Sequence, residues 1–123
     1  MRVFKKIKVY QKAEALILIV YKLTKGFPKE EIYVLTSQLR RAVVSIACNI
    51  AEGASRQYLK DYVHFLYIAR GSLAEVRCLV EVACKLGYLS PVNLQQIETL
   101  LEEASKMLYG LIKSVKEEMG ERP

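Results

Sequence analysis

Apolar residues recur three and four positions apart through four long stretches of the chain. That is the spacing of one helix face, not the alternation of a strand. Val9, Ala13, Leu16, Val20, Leu23 and Phe27 trace the first stretch and predict a helix from about Ile7 to Lys25. Ile32, Leu35, Leu39, Ala42, Ile46 and Asn49 trace the second. Pro28 is placed in its first turn, where a missing N–H costs nothing, and Glu30 and Glu31 sit at the positive end of the helix dipole. Gly53 reads as its terminator. The third stretch runs from about Arg56 to Leu86, with Tyr62, Phe65, Ala69, Ser72, Val76, Leu79, Ala83 and Leu86 on its seam. Gly87 reads as a left-handed cap, with Tyr88 and Leu89 folding back on the last turn. The fourth opens on Ser90 as N-cap and Pro91 as first residue, and carries Leu94, Ile97, Leu101, Ala104, Leu108, Leu111 and Val115. The tail from about Glu117 is expected to be disordered.

Only three breaks interrupt this pattern: Gly26-Phe27-Pro28, Gly53-Ala54-Ser55 and Gly87 to Pro91. There is no Asn-Gly or Asp-Gly hairpin signal, no linker and no repeat. Short connections make neighbouring helices antiparallel. The expectation is therefore all-α, an up-down-up-down antiparallel four-helix bundle forming a single domain over residues 1–123. Several helices are apolar on more than one stripe. Ile17, Leu18 and Ile19 widen the first; Val34, Val43, Val44, Ala47 and Cys48 the second; Tyr58, Val63, Leu66, Tyr67, Val80 and Val82 the third. A bundle helix needs one face inside, so the surplus predicts contact with another subunit.

Composition narrows the class. With 52% hydrophobic residues in 123, the chain can bury a core, and no apolar run reaches the ~20 residues of a membrane span. The stretch Ala15 to Tyr21 is uncharged, but no small-residue cleavage site follows it, so a soluble cytoplasmic protein without membrane partners is expected. Charge is unevenly spread. Residues 1–60 hold 12 Lys/Arg against 4 Asp/Glu, a net of +8, and residues 61–123 hold 7 against 9, a net of −2. A basic half of this kind attracts phosphate backbones or an acidic partner.

Candidate chemistry is sparse. Cys48, Cys78 and Cys84 form no C-x-x-C pair, and His64 is the single histidine, too few ligands for a zinc site. The cysteines lie in apolar helical stretches and are expected to be buried free thiols; no metal and no cofactor is expected. No phosphate-binding glycine loop occurs. An antiparallel register centred on Ala54 and Ser55 places Ser45 opposite His64, with Asp61 one turn away. Helix-interior N–H groups are already bonded and supply no oxyanion hole, so no catalytic residue is expected and the chain reads as a non-enzyme. Asn49 and Ser72 fall on core seams, and buried polar groups must pair. Gln38, Arg40, Arg41, Asn49, Glu52, Ser72 and Glu75 are expected to form a structural polar network that fixes register or assembly.

Phe27-Pro28, Glu31, Tyr33, Leu35, Gln38, Arg40-Arg41-Ala42, Ser45-Ile46 and Asn49-Ile50-Ala51-Glu52-Gly53, followed by Phe65-Leu66, Ile68-Ala69, Gly71-Ser72, Glu75 and Leu86 to Leu89, resemble the four-helix-bundle family of rRNA intervening-sequence proteins. The resemblance covers about residues 4–115. Ala47 departs from it, where the family often has a proline. The resemblance implies ring-shaped homopentamers, an association with rRNA genes and no catalytic residues. It also implies a distant kinship to the retroelement accessory proteins, basic pentamers that bind nucleic acid and a reverse transcriptase.

Joined to the charge layout, this predicts an RNA- or DNA-binding homo-oligomer. Its alternative is a scaffold ring that docks a protein partner such as a polymerase. Helices one and three start at the same end of an up-down bundle. Lys5, Lys6, Lys8 and Lys12 are therefore expected to share one nucleic-acid-binding rim with Arg56 and Lys60. No base-reading motif is visible, so binding is expected to be backbone-led.

Overall fold

The computed structural model describes residues 2–120. Four helices, α1 (Lys8–Thr24), α2 (Leu35–Ala54), α3 (Leu59–Lys85) and α4 (Pro91–Glu118), pack as α1 on α2, α2 on α3, α3 on α4 and α4 back on α1. This closed antiparallel square is the architecture that the seam spacing and short connections dictate. Short 3-10 turns at Phe4–Lys6 and Lys29–Glu31 precede α1 and α2.

Leu16, Leu39, Ile46, Ile50, Leu66, Ile97, Leu101 and Leu108 fill the centre. Each such side chain contributes about 1.5–3 kcal/mol on burial. The residues that widen the apolar stripes divide. Val43, Ala47, Val63, Leu66 and Val80 are buried within the single chain, because α2 and α3 each pack against two neighbours and bury a broad arc. Leu18, Val34, Tyr58 and Val82 are exposed. They are spread over α1, α3 and the connections before α2 and α3, rather than forming one surplus face.

Helix ends follow local chemistry. Ser90 Oγ accepts from the Asn93 N–H at 3.1 Å and Pro91 opens α4. Gly87 adopts φ +83°. The Tyr88 N–H donates to the Ala83 carbonyl at 2.9 Å and the Gly87 N–H to Cys84 at 3.0 Å, a Schellman end. The start of α2 differs from the sequence expectation. Pro28 begins only a 3-10 turn, and the helix opens at Leu35 after Val34, whose backbone (φ −120°, ψ −98°) is non-helical. Ile32-Tyr33-Val34 is a β-branched and aromatic run that resists helix. Ile32 is accordingly exposed rather than on the seam.

Three further expectations change. Leu86, at the C-cap of α3, is 54% exposed. Cys48 and Cys78 are exposed free thiols and Cys84 is half-buried, because all three sit off the core-facing arc of their helices. Finally, α4 is helical through Glu118, past the expected start of the tail, and Gly120 takes φ +85°; residues 121–123 lie outside the described residues.

Gly53 does not end α2 by a left-handed turn. It lies in the last helical turn, where an added Cβ would stand 2.9 Å from the Phe65 Cβ and 3.1 Å from the Tyr62 carbonyl oxygen. Its lack of a side chain lets α2 and α3 approach closely near their connection. At the opposite end, the Tyr88 hydroxyl donates to Glu31 Oε2 at 2.9 Å and ties the α1–α2 connection to the end of α3. That hydrogen bond raises the Tyr88 phenol above its ordinary value.

Candidate nucleic-acid interface

The basic N-terminal segment is not a free arm. Phe4 stacks edge-on against Tyr10 with ring centroids 5.0 Å apart, and Gln11 Nε2 donates to the Lys5 carbonyl at 2.9 Å. Arg2 Nη1 donates to the Arg56 carbonyl at 3.3 Å, and its guanidinium lies 4.8 Å from the centroid of the Tyr62 ring. Burial pushes the Tyr62 phenol up, with Arg2 pulling the other way. These contacts carry the segment across the bundle end where α2 finishes and α3 begins.

Lys5, Lys6, Lys8 and Lys60 are exposed around that end. Two other candidates are engaged within the chain. Lys12 is half-buried, its Nζ 3.6 Å from Glu103 on α4. Arg56 holds Glu52 at 2.6 Å and lies 4.7 Å over Phe65. Carboxylates also reach the rim: Glu118 shares a cleft with Arg2 and Arg56. Arg2, Lys5, Lys6, Lys8 and Lys60 form the positive part of this end.

The seven residues grouped as a polar network occupy four separate settings. Asn49 and Ser72 are brought together through Ser45. Ser72 Oγ donates to the Ile68 carbonyl at 3.2 Å, so its one hydrogen is committed. Ser45 therefore donates across the 2.9 Å gap to Ser72, and Asn49 Nδ2 donates to Ser45 Oγ at 2.9 Å and to its carbonyl at 2.8 Å. The result is a directional chain of hydrogen bonds across the α2–α3 seam. Arg40 turns toward α1, donating to Thr24 Oγ1 at 2.9 Å and lying 4.7 Å over Tyr21. Glu52 pairs with Arg56, and Gln38, Arg41 and Glu75 are exposed.

Ser45 faces Ser72 rather than His64. The chain reverses over Ser55 to Tyr58, later than the Ala54–Ser55 centre assumed from the glycine, and the register shifts with it. His64 is exposed and stacks edge-on against Phe65. Among the described residues no group of three or more His, Cys, Asp or Glu is placed to hold a metal ion, and no helix is long and apolar enough to cross a membrane.

The Asn49–Ser45–Ser72 chain supports a specific expectation. Asn49→Leu and Ser72→Leu keep the helix content but change assembly or register, since one polar layer specifies an arrangement that apolar residues leave degenerate. Circular dichroism checks the first part and light scattering the second. Two variants that assemble like the parent leave the polar layer without a specifying role.

No curated protein matches this chain. A solved structure of a protein of unknown function from the S23 ribosomal protein family of Bacteroides thetaiotaomicron superposes with a TM-score of 0.79, covering 85% of this chain and 98% of that one at 24% identity. At that identity the likeness establishes the fold. The family model of the 23S rRNA-intervening sequence proteins matches residues 5–110, from the exposed lysines of the N-terminal segment through most of α4, and the chain belongs to that family.

Proposed function

We propose that the protein is a non-enzymatic, RNA-associated nucleic-acid-binding protein of the cytoplasm that works as a homo-oligomer, a pentamer. The observation that carries this reading is the Arg2–Arg56 contact. It fastens the segment holding Lys5, Lys6 and Lys8 to the end of the bundle where Lys60 begins α3, so four exposed lysines surround one end. Phosphates need no base-reading motif to be held this way, and repetition around a ring multiplies the patch without new contacts. Membership in a family associated with 23S rRNA makes RNA the first ligand to test.

A second reading, a scaffold that docks a protein partner, is favoured by the opposite end. Ile32, Tyr33 and Val34 on one connection and Leu86 and Val92 flanking the other are all exposed, with Tyr33 91% exposed. The Tyr88–Glu31 hydrogen bond holds these two connections together.

Light scattering with and without a generic RNA tests both readings. The proposed function requires a stable mass several times 14.0 kDa at micromolar concentration, and a further salt-sensitive increase with RNA. A monomeric mass sinks the oligomer. An assembled ring indifferent to RNA at low salt leaves the scaffold.

A further inference from the structure

The eight tyrosines differ in what their rings meet. Tyr10 and Tyr88 pack on phenylalanine rings, and Tyr21, Tyr62 and Tyr67 lie under arginines. Among the described residues, the rings of Tyr33, Tyr58 and Tyr109 meet neither a ring nor a cation, and all three are exposed. The charges around them separate the three. Tyr33 follows Glu30 and Glu31. Tyr58 has Asp61 one turn ahead, and nearby Arg56 is already held by Glu52. Tyr109, 70% exposed in the body of α4, has Lys106 three residues before it and Lys113 four residues after it.

Positions 106, 109 and 113 fall on one stripe of a helix, with the two lysines about 10 Å apart along its axis. Both lysines are exposed, and neither has an ion-pair or hydrogen-bond partner among the described residues. The carboxylates one turn away face other cations. Glu102 lies 3.7 Å from Arg77 and Glu103 3.6 Å from Lys12, while Glu117, one turn beyond Lys113, lines a cleft with Arg2.

The surface beside the ring is bare. Gly110 follows Tyr109, and the register of α3 against α4, with Arg77 beside Glu102 and Tyr67 beside Lys116, sets Gly71 level with it. A side chain at either glycine would meet nothing within 4 Å. Packing within the chain therefore requires neither glycine, and neither helix raises a side chain there to block a flat ligand.

We infer that Lys106, Tyr109 and Lys113 bind one nucleotide of single-stranded RNA. An unpaired base stacks on the Tyr109 ring, and the lysines take the phosphates on either side of it. The inference rests on the proposed RNA binding and adds a platform for bases to a rim that holds only backbone. Bases within a duplex are covered by their neighbours and gain nothing from the ring.

The test is fluorescence anisotropy over a range of salt with a labelled oligouridylate and with an abasic ribose-phosphate strand of the same length. Light scattering on each variant reports its mass. Tyr109→Leu is expected to bind oligouridylate about fivefold more weakly, with its salt slope, its abasic-strand binding and its mass unchanged. Tyr109→Phe, which keeps the ring, binds like the parent. Lys106→Gln/Lys113→Gln weakens binding of both strands, and its log–log slope falls by about 1.4, two contacts of ~0.7 each. A charge-matched control, Lys22→Gln/Lys85→Gln, loses much less. The platform is overturned if Tyr109→Leu binds oligouridylate like the parent, or weakens both strands equally. A reduced mass in Tyr109→Leu also overturns it, since the ring is then a subunit contact, and so does a control that loses as much as the lysine pair. Each of these outcomes leaves rim binding standing. A parent that binds neither strand overturns the proposed function and the platform with it.

Discussion

Gly53→Val will destabilise the bundle by about 3 kcal/mol, while Gly71→Ala will stabilise it by up to about 1 kcal/mol. Both glycines are helical, and on propensity alone both replacements should help. What an added side chain meets decides the sign. At Gly53 the Cβ alone stands 2.9 Å from the Phe65 Cβ, 3.0 Å from Tyr62 Cδ1 and 3.1 Å from the Tyr62 carbonyl oxygen. A carbonyl oxygen and a Cβ move only with the backbone, so α3 must shift away from α2 as a body. Valine adds two methyl groups to that collision, and its own helix propensity recovers only a few tenths of a kcal/mol. At Gly71 nothing lies within 4 Å, so alanine gains backbone entropy without a clash. Urea denaturation checks both, through midpoint shifts of opposite sign at constant slope. A Gly53→Val protein as stable as the parent would mean that the two helices are free to separate, and that the glycine answers only to local preference.

Gly53 illustrates what a single sequence conceals. Its place at the end of an apolar period, before Ala-Ser, is the pattern of a helix terminator, and the helix does end one residue later. The reason it is glycine lies on α3, in Phe65 and Tyr62, and spacing within α2 carries no trace of them. The four helices and their seams were legible because each buried stripe repeats along one element. The width of the buried arc was not. Val43 and Val80 sit beside the seam and read as a second face, yet both are fully buried because each helix is flanked by two others. Register was lost for the same reason: Ser45 meets Ser72, a pairing set by where the chain turns, and that lies in the irregular stretch between the helices.

The candidate interface divides along the same line. Lys5, Lys6 and Lys8 are a run in sequence, and their charge is visible without any fold. The neutralisation of Lys12 by Glu103 needs α1 beside α4, and the approach of Lys116 to the Tyr67 ring needs α4 beside α3. Only the Tyr67–Arg70 spacing, one helical turn, could have been picked out beforehand.

Those distinctions set the size of the effect at the rim. Changing Lys5, Lys6, Lys8 and Lys12 to serine is expected to weaken binding to unrelated RNAs alike, on the order of a hundredfold at low salt, and to flatten the log–log salt slope. The slope should fall by about 2, three contacts of ~0.7, and not by the four-lysine value. Lys12 is the reason: it already faces Glu103 at 3.6 Å, so little of its charge is available to a phosphate. Its replacement acts instead by uncovering Glu103, which adds repulsion and weakens binding without removing a counterion-releasing contact. A matched set at the other end of the bundle, Lys22, Lys25, Lys29 and Lys85 changed to serine, alters net charge equally and should cost only a few-fold, through the long-range field that salt screens within about 10 Å. Lys116 is left out of that set because it lines the same cleft as Lys60. Anisotropy titrations from low to moderate salt read both quantities in one experiment. Equal losses from the two sets would mean that net charge alone draws RNA to this protein. In that case the segment folded across the end of the bundle by Arg2 presents no surface that RNA distinguishes from the rest.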